Sequence, residues 1–380
     1  MIHTTSHTTS RIQLAFVLLA VCASVLFTGC KESHLSADGP YVLYSTTGTT
    51  ANIIQVNKQG DISSETVDLT TLKNREFHVT DHHGDFPFTV KLHAVTRPAW
   101  NYHLADKTFV MSDPHGRLDC VVSLLQGNGV IDRDLHWSFG ANHLMVIGDV
   151  FDRGKDVIQI FWLLYKLEAE AEAAGGRLSF LLGNHEPMVL GGRMRYAEEK
   201  YEELAHELNM DYRDLVGPNS ELGRWLATRN TIEVSDSLLF VHAGLGAAFY
   251  DRNLDPDTVN QEISRALFMT GKERRARSPL TKFLYGGDGP IWYRGMVRDD
   301  AKYYPLSTDT LNLLLKRYHV ERIIVGHTTF DDVSEFYNGR VIGVNVDNRK
   351  NMKEKLGRAL LIENNQYIVV SDNGALRPIE

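Results

Sequence analysis

The sequence predicts an α/β fold: a four-layer sandwich, two mixed sheets between helices, preceded by a small β extension. Three observations predict it. From Lys107 onward, apolar runs of strand character alternate with sharp loops and helical stretches. Successive runs end in Asp113, Asp149, Asn184, His242 and His327, all metal-capable side chains. The stretch from Tyr41 to about Arg97 instead carries short β-type runs separated by turn clusters.

The composition suits a folded protein. The 380 residues are 43% hydrophobic and 23% charged, which leaves no room for wholesale disorder. The net charge of −8 and the lack of a long basic run give no footprint for gripping nucleic acid.

Residues 1–29 read as a processing signal. Arg11 precedes an apolar core, Leu14 to Phe27, that is too short to span a bilayer comfortably. The core ends in Leu26-Phe27-Thr28-Gly29-Cys30, which resembles a bacterial lipoprotein signal with Cys30 as the lipidated residue. Residues 30–40 would tether the anchor to the body. With Cys22 removed and Cys30 lipidated, Cys120 is left alone, so no internal disulfide is expected. The expected place is the bacterial envelope, facing the periplasm. Lys31 after the cysteine leans the reading towards the outer membrane.

In the extension, residues 41–100, Ile53 to Val56 leads into the turn Lys58 to Asp61. His78 to Thr80 and Phe88 to Leu92 flank a second turn at His82-His83-Gly84-Asp85. His78, His82, His83 and His93 have no acidic or sulfur partner at regular spacing, so they read as exposed hairpin residues rather than ligands.

The main domain, residues 101–380, opens with a strand at Thr108 to Met111 that ends in Asp113-Pro114-His115-Gly116. A helix follows, with Leu118, Val121, Val122 and Leu125 at helical spacing. The strand His143 to Ile147 delivers Gly148-Asp149-Val150-Phe151-Asp152-Arg153-Gly154. A helix from about Asp156 to Ala174 stops at Gly175-Gly176. The strand Leu178 to Leu182 leads to Gly183-Asn184-His185-Glu186, and Leu238 to Val241 leads to His242-Ala243-Gly244. A helix from Thr308 to His319 precedes Arg322 to Val325 and Gly326-His327-Thr328, with further strands at Val341 to Val346 and Ala359 to Ile362. Two helical insertions, about 187–231 and 250–298, flank His242. The second holds Trp292-Tyr293-Arg294-Gly295.

A lone strand-end His or Asp is usually a capped turn. Asp113, His115, Asp149, Asn184, His242 and His327 at successive strand ends point to a shared site, because ligands gather at the carboxyl ends of strands in α/β folds. Mixed imidazole and oxygen donors suit manganese, iron or zinc better than calcium or copper. Two such cations, about 3.5–4 Å apart, would clamp a phosphoryl oxygen and acidify a water that attacks it. Asp149 has two oxygens with which to bridge them, and Arg153 a planar fork for phosphate.

These motifs, as an ordered set from Lys107 to Val346, resemble the calcineurin-like metallophosphoesterases. The Gly148–Gly154 and Gly183–Glu186 stretches point to the phosphoprotein phosphatase branch. Together with Trp292 to Gly295 they are similar to its bacterial and Shewanella-like members. The resemblance implies that Asp113 and His115 bind a first metal, that Asp149 bridges, and that Asn184, His242 and His327 complete the second. It makes His185, oriented by Asp152, the acid for the leaving oxygen, which a neighbouring carboxylate favours by keeping imidazole protonated. Arg153 would hold phosphate. Arg294 is the second candidate clamp, with a structural ion pair as the plain alternative.

Ser112 and Ala243 stand where the family usually has Gly, and the carboxyl-terminal signature of eukaryotic Ser/Thr phosphatases is missing. The expected activity is hydrolysis of phosphoprotein esters on Tyr and/or Ser/Thr. Hydrolysis of dinucleoside polyphosphates or nucleotides is the alternative, and an inactive binding module the third reading. Tyr196, Tyr201, Trp292 and Tyr293 are candidates to line a pocket for an aryl phosphate.

Overall fold

The computed structural model describes Met1, residues 33–353 and residues 357–379. The leader, and Cys30 with it, lies outside the described residues. Among those described, no helix is long and apolar enough to cross a membrane.

Two six-stranded sheets form the centre. The first runs β17 (Leu376–Pro378), β16 (Gln366–Ser371), β15 (Arg358–Glu363), β7 (Lys107–Ser112), β8 (His143–Ile147), β9 (Arg177–Leu181). Its β7, β8 and β9 are parallel, and β15 to β17 are antiparallel. The second runs β13 (Ser334–Phe336), β14 (Val341–Gly343), β12 (Arg322–Val325), β11 (Leu238–Val241), β10 (Ile232–Ser235), β6 (Asn101–Tyr102). It too is mixed, with β11, β12 and β14 parallel and β10 antiparallel to β11.

Side-chain alternation along these strands creates the layers, because successive residues point to opposite faces. Val110, Met145, Ile147 and Leu181 of the first sheet meet Leu238, Phe240, Ile324 and Ile342 of the second in one dry cluster. The alternate residues, Phe109, Met111, Leu144, Val146 and Phe180, face outward into the core that contains the helices Leu118–Gly127 and Val157–Ala173. Leu239, Val241, Ile323 and Val325 do the same on the other side with the helix Thr308–Tyr318. Both faces of each sheet are covered, so the central strands read as continuous apolar runs. Helix, sheet, sheet, helix is the expected four-layer order.

The amino-terminal region is more closely joined to this body than its sequence suggested. The strand β1 (Asp38–Tyr44) starts inside the stretch read as a tether. With β2 (Thr50–Val56) and β3 (Ile62–Asp68) it makes a three-stranded sheet, and β4 (Glu76–Val79) and β5 (Phe88–Lys91) make a hairpin. These cover the far side of the helix Val157–Ala173, which is why that helix is buried all round from Val157 to Leu167. Trp162 is the anchor: it is fully buried, stacks on Phe77, and donates its indole N–H to Pro40 O at 2.9 Å. Glu221, from the first insertion, accepts from Tyr44 and Tyr165 at 2.5 and 2.7 Å, tying three segments together.

Candidate metal centre

The strand ends of β7, β8, β11 and β12, with the turn after β9, converge on one edge. Their loops are cross-tied by backbone. Asp113 N donates to Gly148 O at 3.1 Å, His115 N to Asp149 O at 3.0 Å, and Gly326 N to His242 O at 2.8 Å. Asp113, His115, Asp149, Asp152, Arg153 and His327 all have positive φ, between 44° and 73°. L-residues adopt this region at a cost, and only where the surroundings over-determine it. Strain concentrated in ligand-bearing loops is a mark of a built site.

Two glycines permit the approach. A Cβ on Gly183 would lie 2.2 Å from Asp149 Oδ1, and one on Gly148, at φ +70°, would lie 2.6 Å from both Gly183 N and His242 Nδ1. Only the absent side chain lets the β8 and β9 loops touch.

Two of the ligand imidazoles are aimed by their second nitrogen. His115 Nδ1 is 2.8 Å from Phe151 O, and His242 Nδ1 is 3.0 Å from Ile147 O. That leaves His242 Nε2 at 3.2 Å from Asp149 Oδ2 and 3.1 Å from Asn184 Oδ1. Asp113 Oδ1 is 4.0 Å from His115 Nε2, while its Oδ2 accepts from His327 N at 2.9 Å. Two groups of donor atoms, each within 4.8 Å, emerge: His115, Asp149 and His185, and Asp149, His242 and His327. Asp149 belongs to both. All six residues read as ligands from the sequence lie in this cluster.

His185 is close enough to count as a seventh donor, with Nε2 at 3.8 Å from Asp149 Oδ2. Its Nδ1, however, is held by Asp152 Oδ2 at 2.5 Å, and its backbone N–H by Asp149 Oδ1 at 2.8 Å. The ring is thus fixed with Nε2 facing the site.

The buried titratable groups of the cluster shift one another. Burial and the charge of Asp149 lift Asp113 to about 7, and burial drives His115 down to about 3. Burial opposes protonation of His242, yet Asp149 and Asp113 raise it to about 9. Burial, His242 and Arg294 push His327 well below the usual imidazole range. A neutral, buried His327 whose Nε2 has no hydrogen-bond partner among the described residues is what a metal ligand looks like before its ion is counted. Three imidazoles, two carboxylates and an amide oxygen fit a pair of transition-metal cations.

The two arginines differ. Arg153 is exposed at the rim, its backbone N–H bonded to Tyr196 O at 2.8 Å, and its side chain has no ion pair among the described residues. Arg294 is half-buried and donates to Thr328 Oγ1 at 3.0 Å and His327 O at 3.3 Å. It makes no ion pair among the described residues, so the structural salt bridge considered for it is not what holds it.

Of the four aromatics expected to line a pocket, two do not. Tyr201 is buried with its hydroxyl bonded to Lys155 O, and Tyr293 is buried with its hydroxyl bonded to Tyr304 O. Both pack insertions onto the body. Tyr196 lies 5.7 Å from the His185 ring and Trp292 5.8 Å from the His327 ring, so these two flank the site.

Glu186 is the important residue whose role the sequence left blank. Fully buried, it accepts from Gly183 N at 2.7 Å, Val150 N at 2.8 Å and Asp149 N at 3.1 Å. One carboxylate thereby fixes two ligand loops. Its place in the Gly-Asn-His-Glu stretch was the available signal. Of the extension's histidines, His78 and His83 are exposed as expected, while His82 and His93 are partly buried. His82 Nδ1 is 2.9 Å from buried Asp156, forming a group with Asp81, and the His93 ring packs on Tyr165. Asp81 Oδ1 is taken up by backbone N–H groups of Asp85 and Phe86, so this group ties the hairpin to the loop after Gly154.

Comparison with known proteins agrees with this geometry. The sequence profile of the calcineurin-like phosphoesterase family matches residues 107–329. A crystal structure of a cold-active protein-tyrosine phosphatase from a psychrophilic Shewanella species superposes with a TM-score of 0.80 at 31% identity, covering 90% of this chain and 99% of that one. An uncharacterised protein of Schizosaccharomyces pombe is 30% identical over 62% of this chain and 70% of its own length. Shewanella-like protein phosphatase 1 of Plasmodium berghei is 27% identical over 60% of this chain and 62% of its own length. The profile spans the strand ends that build the cluster from Asp113 to His327, and on that ground the chain belongs to the calcineurin-like phosphoesterase family, as a metal-dependent hydrolase of phosphate esters.

Proposed function

We propose that the enzyme is a phosphomonoesterase acting on phosphoproteins, with phosphotyrosine among its substrates. The observation that carries the reading is the buried cluster around Asp149 with His185 and two unpaired arginines beside it. The similarity to phosphatases named for protein and tyrosine phosphate supports the substrate class.

Asp113, His115 and Asp149 would hold one cation, and Asp149, Asn184, His242 and His327 the other; manganese, iron or zinc suits these donors. When bound, the pair supplies Lewis acidity and a nucleophilic water at neutral pH. The protein's own groups do the rest. Arg153 and Arg294 are the guanidinium groups available beside the cluster to take the phosphoryl oxygens and neutralise their charge. His185, with Asp152 on Nδ1, presents Nε2 to the leaving oxygen. Asp149 and Asp152 outweigh burial and raise its pKa, so the proton needed by the departing alcohol or phenol is available. Trp292 and Tyr196 stand at the two flanks, beside His327 and His185.

We further propose that Cys30 carries lipid and holds the enzyme at the envelope, facing the periplasm, with the outer membrane favoured by Lys31. A Cys30→Ser chain that still fractionates with membranes would refute the anchor. The substrate reading is tested by offering the protein from Lys31 onward phosphotyrosine and phosphoserine peptides beside dinucleoside polyphosphates. Faster turnover of the peptides is expected, and turnover confined to the dinucleotides would overturn it.

A further inference from the structure

A cavity of about 450 Å³ opens directly beside Asn184 and Trp292. Its walls come from both insertions, Arg193 from the first and Arg275 and Lys282 from the second, over a floor that includes Met188. All three cations are exposed, and none has an ion pair among the described residues. No carboxylate lines the cavity. The acid nearest along that helix, Glu273, is turned away to cap it, accepting from Thr270 N and Oγ1 at 2.7 and 2.8 Å. Arg274, a buried part of the lining bonded to Ala266 O, adds a further positive charge.

This is an unusual surface on a chain whose net charge is −8. Solvated faces normally intersperse both signs, and unpaired cations gathered around an acid-free hollow repel one another unless an anion is supplied. The volume exceeds what a phosphoryl group needs and suits a few side chains of an extended peptide. Its position against Asn184 makes it continuous with the metal centre. It is therefore placed where the residues next to a phosphorylated side chain must run.

We propose that this groove is a specificity subsite for acidic residues flanking the phosphorylated residue of a protein substrate, a proposal that rests on the phosphoprotein reading above. Aspartate and glutamate near the phosphorylated side chain pair with Arg193, Arg275 and Lys282, and raise kcat/KM chiefly through KM.

The test uses matched phosphotyrosine peptides whose flanking residues are Asp and Glu in one series and Asn and Gln in the other. Wild-type enzyme should favour the acidic series roughly 5–20-fold in kcat/KM at low salt, with the preference shrinking towards one at high salt because exposed pairs are screened. The triple variant Arg193→Gln, Arg275→Gln, Lys282→Gln should lose the preference. The charge-keeping variant Arg193→Lys, Arg275→Lys, Lys282→Arg should retain it. Each ratio is taken within one preparation, so any loss of folded enzyme cancels. A ratio near one in the wild type, or one unchanged in the Gln variant, would overturn the subsite while leaving phosphopeptide hydrolysis in place. Turnover of dinucleoside polyphosphates with no turnover of any phosphopeptide would remove the phosphoprotein reading, and this proposal with it.

Discussion

Asp149 and His185 sit within hydrogen-bond distance of one another, yet their substitution should have different consequences. Asp149 is shared by both donor groups, so Asp149→Asn should lower metal content and abolish phosphate release. His185→Asn would keep the cluster and remove the proposed proton donor, so metal content should hold while kcat falls roughly 10²–10⁴-fold. Metal analysis beside turnover checks both, and equal metal loss in the two variants would make His185 a ligand instead. Cys120 makes a separate prediction. Burial raises its thiol to about 12, so below that pH it stays protonated and is a poor nucleophile. Iodoacetamide at pH 8 should label the native chain from Lys31 at Cys120 only after denaturation. At this scale the sequence was very informative, because ligands are side chains at strand ends and strand ends are visible as apolar runs that break. What it hid were roles set by contacts: Glu186 beneath the loops, and Tyr201 and Tyr293 in the packing rather than the pocket.

The loop pair after β8 and β9 is held by Glu186, whose two oxygens receive the backbone N–H groups of Gly183, Asp149 and Val150 and, at 3.5 Å, that of Phe151. Glu186→Gln keeps the volume but replaces one acceptor by a donor. It should cost about 1–3 kcal/mol through unsatisfied buried groups, and should weaken metal binding with the loops. Urea unfolding and metal titration would read these two effects, and a stable variant with wild-type metal affinity would contradict the role. Elements with a continuous apolar run and a loop signal, such as β7, β8 and β11, were legible within a residue or two. The short strands β10 and β13 were not, since three or four residues carry too little pattern to separate them from loops. Their strand character comes from the neighbours they pair with.

For the whole molecule, the amino-terminal sheets are part of the core rather than an appendage. Trp162, on the helix Val157–Ala173, loses Phe77 and Pro40 if they are removed. A chain starting at residue 101 should therefore aggregate or fail to unfold cooperatively, and Trp162→Ala in the longer chain should cost about 3–5 kcal/mol. Calorimetry of both would show it; a soluble, cooperative fragment would restore the extension to an independent unit. The sequence did not reveal this because burial of a helix on two sides looks, in one dimension, like an ordinary apolar helix. Only the run from Val157 to Leu167, buried without a polar stripe, hinted at a second cover. The central claim is that the cluster around Asp149 is a dinuclear metal centre on which hydrolysis depends. Its most direct test is the metal-to-protein ratio of the purified chain from Lys31, measured by mass spectrometry together with phosphate release before and after chelation. The account predicts close to two transition-metal ions per chain, lost on chelation with the activity and regained with it when metal returns. Undiminished phosphate release from a metal-free chain would contradict it.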